Sequence, residues 1–262
     1  VVVYQQMGYL HQNHQNSDGE SLILSTDFFM MEGRTNPNPE TRLSRRYTTI
    51  KETLLSHPNV LEVTSSGFPM GSTFPGQNNT IMAEGHAREI GGFSVSRVDE
   101  DHMPFHGLHL VAGRNFSLDI PTDATQAYIL NESAVKLLGW DNPIGKQVIL
   151  RNQKGHVIGV VKDHPYMSLH FAIAPQILRL DPRGFVYFKL RPENVDETVA
   201  FIKTTLSEFA SRPVLARYWF DGWFSEPYSR EMRMSTMVTT FSGLAIFLAC
   251  LGLFGLAAHA AE

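Results

Sequence analysis

From Met234 to Ala261 the chain carries no Asp, Glu, Lys or Arg, and most of its residues there are apolar. A helix of that length reaches about 42 Å at about 1.5 Å per residue, against a hydrocarbon core of about 30 Å. Core helices rarely stay uncharged on every face for so long. Residues 235–261 are therefore expected to form a transmembrane helix. The polar residues in front of it then form an extramembranous region whose C-terminal end enters a bilayer.

The flanks extend this expectation. Val1-Val2-Val3-Tyr4 reads as the tail of an apolar segment upstream, so residues 1–20 are expected to be a stalk leaving a first span, and 221–234 a second stalk entering the next. The N-terminal apolar stretch is too short for a signal peptide, and no small-residue cleavage site follows it. Arg230 and Arg233 precede the span, but a single charged flank does not set orientation. The net charge of −4 and pI near 6.3 argue against a nucleic-acid partner held through phosphate contacts. The single cysteine, Cys250, lies in the apolar segment, so the polar region has no disulfide.

Two stretches of the polar region follow one pattern. Leu22-Ile23-Leu24 and Val60–Val63 read as strands on either side of a helix opened by Asn38-Pro39-Glu40. In that helix Leu43, Tyr47, Ile50 and Leu54 make one apolar stripe. The pattern returns at Phe185–Phe188, a helix striped by Val195, Val199, Ile202, Leu206 and Phe209, and a strand from Val214 to Phe220. Asn194 and Glu197 have the spacing of a capping box for this second helix. The expected class is α+β: a split βαβ lobe of ferredoxin-like, porter-like kind over residues 21–68 and 183–220. Residues 69–182, richer in Gly and Pro, would be an inserted, mostly-β lobe with strands at Thr80–Ala83, Ala127–Leu130, Gln147–Leu150 and His156–Val161. One short helix there, Glu132–Leu138, is expected between an Asn131 cap and a Gly139 stop.

Chemical motifs are weak by comparison. The run Gly139-Trp140-Asp141-Asn142-Pro143-Ile144-Gly145-Lys146-Gln147 has five residues between its glycines and Gln after Lys, where a phosphate loop needs four and then Ser or Thr. A turn made by Pro143 and Gly145 is the simpler reading. His102, His106 and His109 offer a metal-like spacing, but Pro104 breaks the helix that would align them and no further ligand is evident. Asp163-His164 with Ser168 and His170 has the residue types of a hydrolytic triad without the sharp elbow that would present the serine. No catalytic residue, cofactor or metal is expected, with His102 and His106 as the weak alternative for a metal. Inside the apolar segment, Ser242, Ala245, Ala249 and Gly252 form a stripe of small residues, the expected helix-packing face.

Beyond these features, a series of short stretches resembles the MacB/FtsX-like permeases of ABC transporters, over nearly the whole chain. It comprises Val3-Tyr4-Gln5-Gln6 with Tyr9-Leu10, Leu110 to Phe116 with Gly113 and Arg114, and Ile129 to Ala134 with Asn131 and Glu132. It continues through Leu138-Gly139-Trp140, Pro143 to Lys146 with Gly145, Val157 to Asp163 with Gly159, Ser168-Leu169-His170, Pro175 and Phe247 to Ala258. His164-Pro165 departs from the family's more frequent aromatic followed by His or Asn.

The resemblance implies four spans per subunit and a large periplasmic region between the first two, built as a porter-like lobe interrupted by a second one. It implies placement in the inner membrane, a second permease subunit as homo- or heterodimer partner, and a cytoplasmic ATP-binding subunit or fused domain where ATP is hydrolysed. Membrane lipid surrounds the spans, and a periplasmic adaptor is left open. The expected role is to carry ATP-driven motion through the stalks to export or mechanical signalling. A membrane-anchored extracytoplasmic sensor is the alternative from another class, and a membrane-tethered metalloenzyme using His102 and His106 a third.

Overall fold

The computed structural model describes residues 22–26, 39–67, 78–164, 172–209 and 216–219, with Ser242 and Leu251. The first segment runs β1 (Leu22–Thr26), α1 (Pro39–Leu55) and β2 (Val60–Ser66). The second begins with β3 (Asn79–Ala83), β4 (Ile90–Val98), α2 (His102–Phe105), β5 (Leu110–Gly113) and α3 (Asp123–Gln126). It continues with β6 (Ala127–Asn131), α4 (Glu132–Leu138), β7 (Gln147–Leu150), β8 (Gln153–Val161) and β9 (Gln176–Leu180). The last comprises β10 (Phe185–Leu190), α5 (Val195–Phe209) and β11 (Ala216–Trp219).

The outer segments share one antiparallel sheet in the order β11-β1-β10-β2, the order produced when two strand–helix–strand units interleave. Tyr47, Ile50 and Leu54 of α1 and Ile202 and Leu206 of α5 pack on Val60, Val63, Val186, Phe188 and Leu190 of β2 and β10. Both helices thus cover one face of this sheet. Asn194 stands in the left-handed region (φ 52) instead of the extended conformation usual for an N-cap, a state that asparagine tolerates. Its carbonyl accepts hydrogen bonds from the N–H and Oγ1 of Thr198, both at 3.0 Å.

The middle segment closes on itself. The pairings β4–β3, β3–β7, β7–β8, β8–β6, β6–β9 and β9–β4 form a six-stranded ring, with β5 added outside on β8. Closure removes unpaired edges from six short strands that would otherwise expose them. Ile81, Phe93, Tyr128, Leu130, Val148, Leu150, Val157 and Ile177 fill the ring, and Ala134 and Leu138 of α4 pack against that core. A further core of Val98, Met103, Phe116, Ile129, Val161, Leu178 and Leu180 lies on the other face of β6 and β9. Ring and sheet meet through one strand pair, Ser66 with Val98.

Four expected strands coincide with β3, β6, β7 and β8, while β4, β5 and β9 were not anticipated. β4 carries Gly91-Gly92 and the buried serines Ser94 and Ser96, which blur its alternation. Gln176 Nε2 donates to Ser96 Oγ at 2.9 Å, giving that hydroxyl a partner inside the fold.

The chain divides into two compact units, Val1–Phe220 and Asp221–Glu262. In the second, Ser242 and Leu251 are helical and exposed. The expected stalks, the span 235–261 as a whole and the packing residues Ala245, Ala249 and Gly252 lie outside the described residues. Among the described residues no helix is long and apolar enough to cross a membrane.

Candidate functional site

The residues singled out by the sequence gather around β5, β8 and α4, where they brace the backbone. Asn131 caps α4: its Oδ1 accepts from Ala134 N at 2.9 Å and also from Gln176 N at 2.7 Å, while its Nδ2 donates to Ala174 O at 3.1 Å. One fully buried side chain thereby joins β6, α4 and β9. Asp163 Oδ1 accepts from Ser133 N at 3.0 Å and its Oδ2 from Ser133 Oγ at 2.6 Å, and Glu132 Oε2 accepts from Asp163 N at 2.9 Å. At the other end Gly139 turns left-handed (φ 62), and the N–H groups of Gly139 and Trp140 close on Lys136 O and Val135 O.

The run that resembles a phosphate loop is a turn. Lys146 N donates to Pro143 O at 3.1 Å with Gly145 at φ 83, the arrangement of a type II turn. Gly145 N donates to Val157 O at 2.8 Å, and Lys146 Nζ lies 2.6 Å from Glu84 Oε1. Gly113 and Gly159 let β5 lie tight on β8. A Cβ on Gly113 would stand 2.2 Å from Ile158 O, and one on Gly159 2.5 Å from Arg114 O. Arg114 grips the buried Asp123 with two bonds of 2.6 and 2.8 Å. This guanidinium holds the Asp123 carboxyl below its usual range.

Of the residue types noted for a hydrolytic triad, Asp163 directs both carboxylate oxygens to Ser133. His164 is buried with Nδ1 3.2 Å from Lys162 O, and Ser168 and His170 lie outside the described residues. Of the three spaced histidines, His102 and His106 stack edge-on with centroids 4.6 Å apart, while His109 is exposed. Burial, and then His164, lower the His102 pKa to about 3, so this ring is neutral at ordinary pH. Among the described residues no three His, Cys, Asp or Glu side chains are grouped to hold a metal.

A polar cluster that sequence reasoning missed lies between α1 and the end of β4. Asp99, 1% exposed, accepts from Tyr47 Oη at 2.6 Å, from Lys51 Nζ at 3.0 Å and from Thr64 Oγ1. Lys51 also reaches Glu100 at 2.8 Å and Asp101 at 2.6 Å. Burial opposes the Lys51 charge, but Asp99, Asp101 and Glu100 outweigh it and the lysine pKa rises. The cluster pins α1 and β2 to the segment joining β4 and α2. Its one signal in the sequence is a lysine four residues after Tyr47 and three before Leu54, inside the apolar stripe.

The profile of the MacB-like periplasmic core domain matches residues 7–204. In fold the chain is similar to the periplasmic region of MacB from Actinobacillus actinomycetemcomitans, with TM-score 0.50 and 18% identity over 76% of this chain and 89% of that one. It is also similar to the extracellular domain of the noncanonic ABC-type transporter YknZ from Gram-positive bacteria. There the TM-score is 0.46 and the identity 16%, over 76% of this chain and 98% of that one. No curated protein matches the chain.

Proposed function

The chain belongs to the family of MacB-like periplasmic core domains, and from that premise we propose that it is the extracytoplasmic part of an ABC-transporter permease subunit. In this reading it is anchored in the inner membrane and pairs with a second permease subunit. It couples the motion of a cytoplasmic ATPase to export or mechanical signalling. The observation that carries the reading is the family match over residues 7–204, followed by the uncharged segment 235–261.

The roles of the motif side chains support a moving part over a catalyst. Motif residues are spent on caps, turns and close strand contacts, and the Lys51–Asp99 cluster braces α1 against the ring. A braced assembly can pass displacement along with little loss to internal deformation. The small-residue stripe Ser242, Ala245, Ala249 and Gly252 would be the face that packs against another span.

The test is capture of the intact protein from its native membrane under mild detergent, with identification of what accompanies it. A nucleotide-hydrolysing P-loop subunit, or such a domain in the same polypeptide, is the expected result. Its hydrolysis rate should change when the periplasmic region is cross-linked. Recovery of a kinase or methyl-accepting helix in place of the ATPase would establish the sensor and end the transport reading.

A further inference from the structure

Among the described residues, sheet and ring do not share an apolar core. The cluster under α1 and α5, the one filling the ring and the one on the other face of β6 and β9 have no side chain in common. Two lobes of one chain turn against each other unless a large apolar interface holds them. The backbone link here is short: Ser66 pairs with Val98, and Gly67 N donates to Arg97 O at 2.7 Å. Tyr187 alternates with Val186 and Phe188, which pack under the helices, so it lies on the sheet face away from α1. On that face α2 sets Phe105 and His106 against Tyr187, with aromatic centroids 6.3 and 5.4 Å apart.

On the α1 side an open cleft of about 330 Å³ lies between the lobes. Thr48 of α1 and Leu118 and Thr125 of the middle segment are in its lining, and all three are exposed. The contacts that bridge the lobes beside this cleft centre on Asp99, the first residue after β4. Its carboxylate accepts from Tyr47 and Lys51 of α1 and from Thr64 of β2, so donors on two elements of the sheet lobe converge on it. Lys51 extends the bridge to Glu100 and Asp101 of the same segment. Hydrogen bonds to an ionised acceptor are stronger than neutral ones. They act one residue beyond Val98, where the backbone link ends.

We infer that the Asp99 carboxylate sets the angle between ring and sheet, and that without its bonds the ring closes on α1 across the cleft. The end of a strand pair supplies an axis with few bonds to break, as the terminal residues of elements do at hinges. Turning the ring about that axis toward α1 meets open space, whereas it draws Asp99 away from donors held by α1 and β2. The first and last strands of this unit, β1 and β11, both belong to the sheet. Displacement arriving along the chain from either end therefore reaches the sheet first, and Asp99 hands it to the ring. The inference goes beyond the transport reading and does not depend on it.

The test uses the full chain in nonionic detergent, with Cys250→Ser and nitroxide labels on cysteines placed at two exposed positions, Glu52 of α1 and Lys154 of β8. Pulsed electron resonance then reads the distance from sheet lobe to ring. One narrow distribution is expected for the parent. Lys51→Met with Asp99→Leu, which leaves no buried charge of the pair behind, should broaden it and shift it to shorter distance. Tyr47→Phe with Thr64→Val removes the two hydroxyl donors, keeps the ion pair, and should give a smaller shift of the same sign. A control pair within the middle segment, at Lys136 and Lys154, should not change in either variant. The inference is overturned if both variants superimpose on the parent, or if the control pair broadens with the other, which would mean loss of the ring's own structure. Neither an ATPase nor a cargo enters the measurement, so a failure here leaves the transport reading standing.

Discussion

Lys51 and Asp99 show how much one pair can decide at the scale of single residues. Each is buried, and each would be costly without the other. Lys51→Met should destabilise the fold by about 3 kcal/mol, because it leaves a carboxylate uncompensated in the interior. Adding Asp99→Asn should recover much of that loss, and urea unfolding of both variants would show it. His102 makes a second prediction. Its folded pKa is about 3 against an ordinary 6.5, so below 6.5 the unfolded chain binds the proton more readily. Stability should then fall as pH drops from 6.5 toward 3, by at most about 1.4 kcal/mol per pH unit from this ring. His164, also shifted down chiefly by burial, adds in the same direction. Unfolding midpoints at pH 7 and pH 5 should draw closer together in His102→Leu, and an unchanged gap would contradict this account.

For the elements, glycine positions separate two physical causes. Gly145 is left-handed with open space around it, so Gly145→Ala should cost only the backbone strain, about 1 kcal/mol. Gly113 is left-handed and also presses on the backbone of β8, so Gly113→Ala should cost at least about twice that. Hydrogen exchange would then show the Leu110–Gly113 amides opening while β6 stays protected. Asn131→Ala should remove about 2 kcal/mol, since cap and strand contacts fail together. The limits of the α4 helix were legible from Asn131 and Gly139 because caps are local chemistry. β4 and β9 were not, because Ser94, Ser96 and Gln176 become acceptable interior residues only once those two strands lie side by side.

At the scale of the whole molecule, the functional reading makes a prediction about assembly. Ala249→Phe places a bulky ring on the small-residue stripe and should weaken pairing of subunits, measured by cross-linking in detergent. The polar region should keep its melting temperature, because the substitution lies in the other compact unit. Pairing equal to that of the parent chain would remove this face from the proposal.

What the amino-acid order determined by itself was everything governed by near neighbours. This covers the apolar length of residues 235–261, the helix stripes at Tyr47–Leu54 and Ile202–Leu206, the turn at Pro143–Lys146 and the α4 caps. Closure of the ring and burial of Lys51 on Asp99 were decided only by the tertiary structure. The reason is distance along the chain. Such pairings join residues far apart in sequence, and their energy depends on the low-dielectric surroundings that the completed fold creates.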